Sequence, residues 1–142
     1  MTRDYLATEV LTATPQRLHL ILIEAALRSA NRSRQHFDDT DRGIATESLI
    51  RAQLFVTEML SHLSARDNAQ LALQIAAVYR FIHRSLVDAG ARHDIEKLNG
   101  AIRVLEIERE TWRQAAQQAA QRAPAVTLEN DSLSSTGHSF VA

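Results

Sequence analysis

Histidines and carboxylates are the residues of this chain with the most chemical potential, but they act as metal ligands only at suitable spacing. A di-iron carboxylate centre in a helical bundle uses a Glu-x-x-His pair on each of two helices, and no such pair occurs here. Glu58 and His62 are four residues apart, which favours an exposed ion pair. His19 lies in an apolar stretch and is typical of a partly buried histidine with a hydrogen-bond partner. We therefore expect neither a metal centre nor a cofactor.

The chain also lacks the residue patterns that nucleophilic catalysis and phosphate binding usually require. The chain has no cysteine, and its four glycines are scattered rather than gathered in a phosphate-binding loop. Asp38, Asp39 and Asp41 cluster, but at a joint between two helices such residues serve as caps and as favourable charges at a helix N-terminus. We expect that the protein is not an enzyme.

Two local groups of arginines raise the question of nucleic-acid binding. Arg28, Arg32 and Arg34 form one group, and Arg80 and Arg84 form the other. The formal net charge is −1, so the chain is not a basic domain, and solvated helix faces are the favoured interpretation. A regulatory adaptor that binds an RNA-related or transcription partner through these arginines stays an alternative, and steep salt dependence would favour it.

The composition predicts an all-α protein of one domain. Of the 142 residues, 45% are hydrophobic but only 5% are aromatic, with four glycines and two prolines, as expected where helix formers dominate and breakers are few. No secretory leader opens the sequence, and no apolar run approaches the roughly 20 residues of a membrane span. We expect a soluble cytosolic protein.

Apolar spacing and capping residues predict four long helices joined by short turns, which gives an antiparallel up-down bundle. Thr14 can cap the first helix and Pro15 suits its first turn; Asp94 can cap the fourth, and Gly90 can end the third. We divide the chain into an N-terminal arm (1–13), a helical bundle (14–121) and a disordered tail (122–142). The first and third helices are apolar on more than one side, so we expect them to pack against each other.

A second stripe on the second helix suggests where another polypeptide would bind. Ile50, Gln53, Leu54 and Thr57 run beside its core stripe, with Arg51 close by. Apolar residues interrupted by a hydrogen-bonding amide suit a groove for a helical or extended guest chain. A homodimer interface or ordinary surface explains the same residues equally well.

The order of several short motifs resembles the FliS family of flagellin-specific export chaperones. Tyr5 followed by the run Val10-Leu11-Thr12-Ala13-Thr14-Pro15 and an apolar helix is similar to its N-terminal signature. Three further stretches agree with the family: Arg51-Ala52-Gln53 with Val56, Glu58 and Leu60; Tyr79 through Leu86 to Ala89; and Leu105 to Trp112. The resemblance covers about residues 4–116. It departs at Leu22-Ile23-Glu24-Ala25-Ala26, where the family tends to have an aromatic-acidic-Gly sequence, and at Arg80-Phe81.

The resemblance implies a chaperone that binds the disordered C-terminal segment of flagellin in the bacterial cytosol. It would prevent premature polymerisation and hand the subunit to the flagellar type III export gate. The arm would lie in or beside the guest groove and move when flagellin binds, and the binding would depend weakly on salt. The residues expected to contact flagellin are on the arm, the second helix and the third helix: Tyr5, Val10, Leu11, Ile50, Arg51, Gln53, Leu54, Thr57 and Tyr79.

Overall fold

Four α-helices follow one another in a computed structural model that describes residues 13–63 and 68–141, with side chains up to residue 122. Helix α1 is Pro15–Gln35, α2 is Gly43–Ser61, α3 is Ala69–Arg92 and α4 is Ile95–Val141. The short joints between them make consecutive helices antiparallel. The predicted all-α bundle of four long helices is thereby confirmed.

The starts of three helices are fixed by side chains that accept hydrogen bonds from otherwise unpaired backbone amides. Thr14 Oγ1 accepts from the amide of Arg17 at 3.1 Å, and Pro15 occupies the first helical position. Asn68 Oδ1 accepts from the amide of Leu71 at 3.0 Å. Asp94 Oδ1 accepts from the amide of Glu96 at 3.0 Å. Each cap of this kind stabilises a protein by about 1 kcal/mol, and those predicted at Thr14 and Asp94 are confirmed.

The expected end of α3 at Gly90 is wrong. The helix continues to Arg92, and His93 forms the cap in the left-handed conformation with φ of 50°. The His93 imidazole stacks on Phe37 with 4.3 Å between ring centroids, which holds this residue in a conformation that histidine seldom adopts. Gly90 lies where α3 passes α2: a Cβ there would be 3.4 Å from Leu49 Cδ1, about the van der Waals contact distance.

The four helices form a ring in which each has two neighbours. Helix α1 packs against α2 and α4, and α3 packs against the same two helices. Helices α1 and α3 lie diagonally across the core rather than side by side. The direct contact expected between them is limited to one place, where the Tyr79 hydroxyl of α3 lies 3.1 Å from His19 Nδ1 of α1. The core is mostly apolar and is built from every helix. Its fully buried large side chains include Ile23, Val56, Met59, Tyr79, Ile82, Leu86, Leu98, Ile102 and Leu105.

Both ends of the chain leave parts of the expected organisation untested. The arm lies outside the described residues except for Ala13. Helix α4 is assigned to Val141, past the end expected near Gln121, but side chains are described only to Arg122, so the division into bundle and tail stays a prediction. Among the described residues, no helix is long and apolar enough to cross a membrane.

Candidate protein-binding surface

Helix α2 carries apolar side chains on opposite sides. Its buried side faces the core and includes Leu49, Val56 and Met59. Ile50 and Leu54 lie on the other side and are 50% and 60% exposed; we call this pair the α2 ridge. Two large aliphatic side chains one helical turn apart on a solvent-facing side form a ready contact for another chain, since helix residues at i and i+4 share a face.

The α2 ridge adjoins a cleft between α2 and α3. Thr57 lies one turn beyond Leu54 and lines a depression of about 260 Å³, together with Leu60, Arg80, His83 and Arg84. The Thr57 hydroxyl donates to the backbone carbonyl of Gln53 at 3.0 Å. The side chain of Gln53, one turn before Thr57 on the same helix, is half-buried.

Arg51 points away from this cleft and towards α1. Its Nη2 lies 3.5 Å from Glu47 Oε1, an exposed i, i+4 pair of the kind that contributes under about 1 kcal/mol. Arg51 also lines a separate groove of about 450 Å³ between α1 and α2. The second-helix residues chosen from the sequence are thus divided between two grooves, with the α2 ridge between them.

Tyr79 is in a different place from the other expected contact residues. It has 0% exposure and belongs to the core, where its hydroxyl shares a 3.1 Å hydrogen bond with His19 Nδ1. A contact with a docked chain would require this part of the core to open. Tyr5, Val10 and Leu11 lie outside the described residues. The structure therefore brings together Ile50, Gln53, Leu54 and Thr57, with Arg51 beyond the ridge and Tyr79 apart from them.

A buried polar cluster links α1, α3 and α4. The His19 imidazole stacks on the Trp112 indole with 4.3 Å between ring centroids, and it bonds Tyr79 on its other side. Burial lowers the pKa of His19 to about 4, so the imidazole is neutral at pH 7. Burial, with the nearby Glu108 charge, raises the pKa of Tyr79. The hydroxyl therefore stays protonated and can donate a hydrogen bond to the imidazole of His19.

Glu108 and the indole nitrogen complete this cluster. Burial raises the pKa of Glu108. Trp112 Nε1 is buried and faces the Glu108 carboxyl and the Tyr79 hydroxyl, where an N–H donor opposes the rise in both pKa values, although neither contact has the full geometry of a hydrogen bond. The prediction that His19 is a partly buried histidine with a partner is confirmed. Its hydrogen bond to Tyr79 and its stacking on Trp112 join α1 to α3 and α4.

Metal-ligating groups are not gathered at one place in the part that the structure describes, where no three His, Cys, Asp or Glu side chains are positioned to share an ion. Glu58 and His62 form the expected contact, with 3.5 Å between Oε2 and Nε2. Both side chains are largely exposed, which is the geometry of a surface pair rather than of a metal site.

Exposed apolar residues of α3 were missed as surface features by the sequence pattern. Leu73 is 68% exposed and Phe81 is 54% exposed, although the sequence pattern, which is apolar on more than one side of α3, predicted that these sides would be covered. Val87 is partly exposed, and the Gly90–Leu49 contact places this end of α3 beside the start of α2. The spacing could have predicted this exposure, because Leu73 and Phe81 fall outside the apolar stripe of α3, whose members Ile75, Val78 and Ile82 pack in or against the core.

These features define a class of protein: an all-α bundle with a filled core, exposed apolar side chains on two adjacent helices, and polar clefts suited to binding another chain. The chain belongs to the family of flagellar protein FliS, whose model matches residues 1–119. It is also 29% identical over 113 residues to the flagellar secretion chaperone FliS of Bacillus subtilis (strain 168), a match that covers 80% of this chain and 84% of that protein.

Proposed function

We propose that this protein is a flagellar export chaperone that binds the disordered C-terminal segment of flagellin. The observation that carries the proposal is the α2 ridge, because Ile50 and Leu54 are exposed although the bundle already has a complete apolar core. Membership of the FliS family and the name of the Bacillus relative support the flagellar role.

The physical basis of client binding is folding coupled to association. Covering Ile50 and Leu54, which are 50% and 60% exposed, would contribute about 1–2 kcal/mol each when the full-burial value is scaled to that exposure. Ordering the client would oppose this by about 2–5 kcal/mol or more. The client must therefore bury further apolar surface, for which Val87 and Phe81 on α3 are available. We expect contacts with Gln53 and Thr57 to orient the guest rather than to dominate the affinity, and we expect weak salt dependence.

The arm is proposed to act beside this surface. Tyr5, Val10 and Leu11 are apolar residues of a segment too short to fold alone, and we expect them to pack in or next to the guest groove and to move when flagellin binds. A Tyr5→Ala variant and a deletion of residues 1–9 should each change the affinity or the dissociation rate of the flagellin peptide. Unchanged values in both variants would contradict the role of the arm.

The same proposal includes what binding achieves. Held on the bundle, the flagellin segment is unable to take part in filament assembly in the cytoplasm, and the complex is ready for the flagellar type III export gate. A homodimer that covers the α2 ridge with a second copy is the alternative, as is a regulatory adaptor without chaperone activity.

Titration calorimetry with the full chain and a synthetic flagellin C-terminal peptide tests the proposal. We expect binding with a negative heat-capacity change, which reports apolar burial, and a gain of helical circular dichroism beyond the sum of the two components. Sedimentation at low concentration with and without the peptide separates the homodimer. No binding by any flagellin of the organism, or a stable dimer that the peptide leaves intact, would refute the chaperone role.

A further inference from the structure

The groove between α1 and α2 has a shape and charge that the α2 ridge does not share. Its floor is made by small side chains, its apolar walls are Ile44 and Phe55, and its rim is charged; the lining residues are Ala25, Arg28, Ser29, Arg32, Ile44, Glu47, Ser48, Arg51 and Phe55. With about 450 Å³ it is larger than the α2/α3 cleft, which has about 260 Å³. We call it the arginine groove.

The arginine groove forms because two helical stripes face each other. On α1 the lining residues recur at three- and four-residue spacing from Ala25 to Arg32, and on α2 they do so from Ile44 to Phe55, so each set shares one face of its helix. The Ser33 hydroxyl donates to the carbonyl of Ala45 at 2.8 Å, which fixes the antiparallel register. That register places Arg28 opposite Arg51 and Arg32 opposite Glu47.

The charges of the arginine groove are not balanced from within. Three guanidinium groups and one carboxylate line it, and that carboxylate, Glu47, is paired with Arg51. Arg28 and Arg32 are exposed and form no ion pair or hydrogen bond among the described residues. Like charges at i and i+4 destabilise a helix slightly, so a carboxylate placed between these arginines would be favourable.

From this charge complementarity we infer that the arginine groove is a docking site for an acidic amphipathic helix of a partner protein. Its carboxylates would lie against Arg28, Arg32 and Arg51, and its apolar residues would contact Ile44 and Phe55. The α2 wall from residue 44 to 55 is roughly 16 Å long at 1.5 Å per residue, which is about three helical turns of guest. This inference does not rest on the proposed binding of flagellin to the α2 ridge.

A fluorescent, stapled helical peptide of about 12 residues, with glutamate and leucine alternating on one face, tests the inference on the full chain by anisotropy. The double variant Arg28→Gln/Arg32→Gln should weaken its binding by roughly tenfold, because two exposed charge pairs are lost. The control Lys97→Gln/Arg103→Gln removes the same charge from exposed positions on α4 and should change binding by less than about twofold. Rising NaCl should weaken the parent complex.

Three further readouts decide the outcome. Amide NMR shifts confined to Ala25, Ser29 and Ser48 would support the site, and the probe should still bind when a flagellin C-terminal peptide is saturating. A peptide with glutamine in place of glutamate should bind roughly tenfold more weakly. No binding of the acidic probe, equal losses in the two double variants, or equal affinity of the glutamine peptide would overturn the inference. So would sedimentation showing that a second copy of this chain occupies the groove.

Discussion

The imidazole of His19 on α1 lies nearly parallel to the indole of Trp112 on α4, with an interplanar angle of 15°. The contact joins two neighbouring helices at the level where α3 contributes the Tyr79 hydroxyl. Because His19 is only 3% exposed, its charged form is disfavoured and its neutral form is built into the packing. This cluster makes stability depend on pH, independently of any partner.

Stability should fall as the pH falls from about 6.5 towards 4. The pKa of His19 is lowered from 6.5 to about 4 in the folded protein, so between these values the unfolded chain binds more protons. The stability that neutral His19 contributes is fully present above the pKa of the unfolded chain, 6.5. It is lost as the pH falls to the pKa of the folded protein, about 4, and the loss is up to about 3 kcal/mol. Urea unfolding at pH 7, 6, 5 and 4, followed by the fluorescence of the single tryptophan, measures it. His19→Gln should flatten this pH dependence, whereas His83→Gln should not; equal slopes in both variants would contradict the assignment.

Tyr79→Phe should lower the free energy of unfolding by about 1–3 kcal/mol. The substitution keeps the ring in the core but leaves His19 Nδ1 without its hydrogen-bond partner, and a buried unsatisfied polar group costs about that much. A double-mutant cycle with His19→Gln isolates the pairwise term. A coupling energy near zero would show that the 3.1 Å contact does not stabilise the fold.

Leu54→Ser should weaken binding of a flagellin C-terminal peptide by roughly five- to twentyfold, because covering a leucine that is 60% exposed contributes about 1–2 kcal/mol. The free protein should keep its stability, since Leu54 is already exposed. Ile107→Ser is the matched control: Ile107 on α4 has the same 60% exposure and lies outside the α2 ridge. Equal weakening by the two variants, measured by calorimetry, would place the client elsewhere.

Gly100→Ala should raise the free energy of unfolding by about 0.5–1 kcal/mol. Gly100 is inside α4, a Cβ there would meet nothing within 4 Å, and alanine in a helix is favoured over glycine by that amount. Gly90→Ala should gain less, because its Cβ would lie 3.4 Å from Leu49 Cδ1. Thermal and urea denaturation of both variants check the order; a larger gain at Gly90 would contradict the described approach of α2 and α3.

The sequence by itself determined the helices. Thr14, Asn68 and Asp94 start them through hydrogen bonds to residues two or three positions away, and the apolar stripe of each helix marks its core side. These are local properties, fixed by the 3.6-residue period and by unpaired amides at helix ends. For the same reason, the exposed pair Ile50 and Leu54 was identifiable beside the core stripe of α2.

Only the tertiary structure decided what covers each face. The pattern of α1 required contacts on two sides. That α2 and α4 supply most of these contacts, and α3 only the one through Tyr79, depended on the order of the helices around the core. That order buried Tyr79, exposed Phe81, and placed Arg51 across from Arg28 to form the arginine groove. Periodicity gives the direction of a side chain from its own helix axis, whereas burial and charge pairing depend on residues distant in the chain.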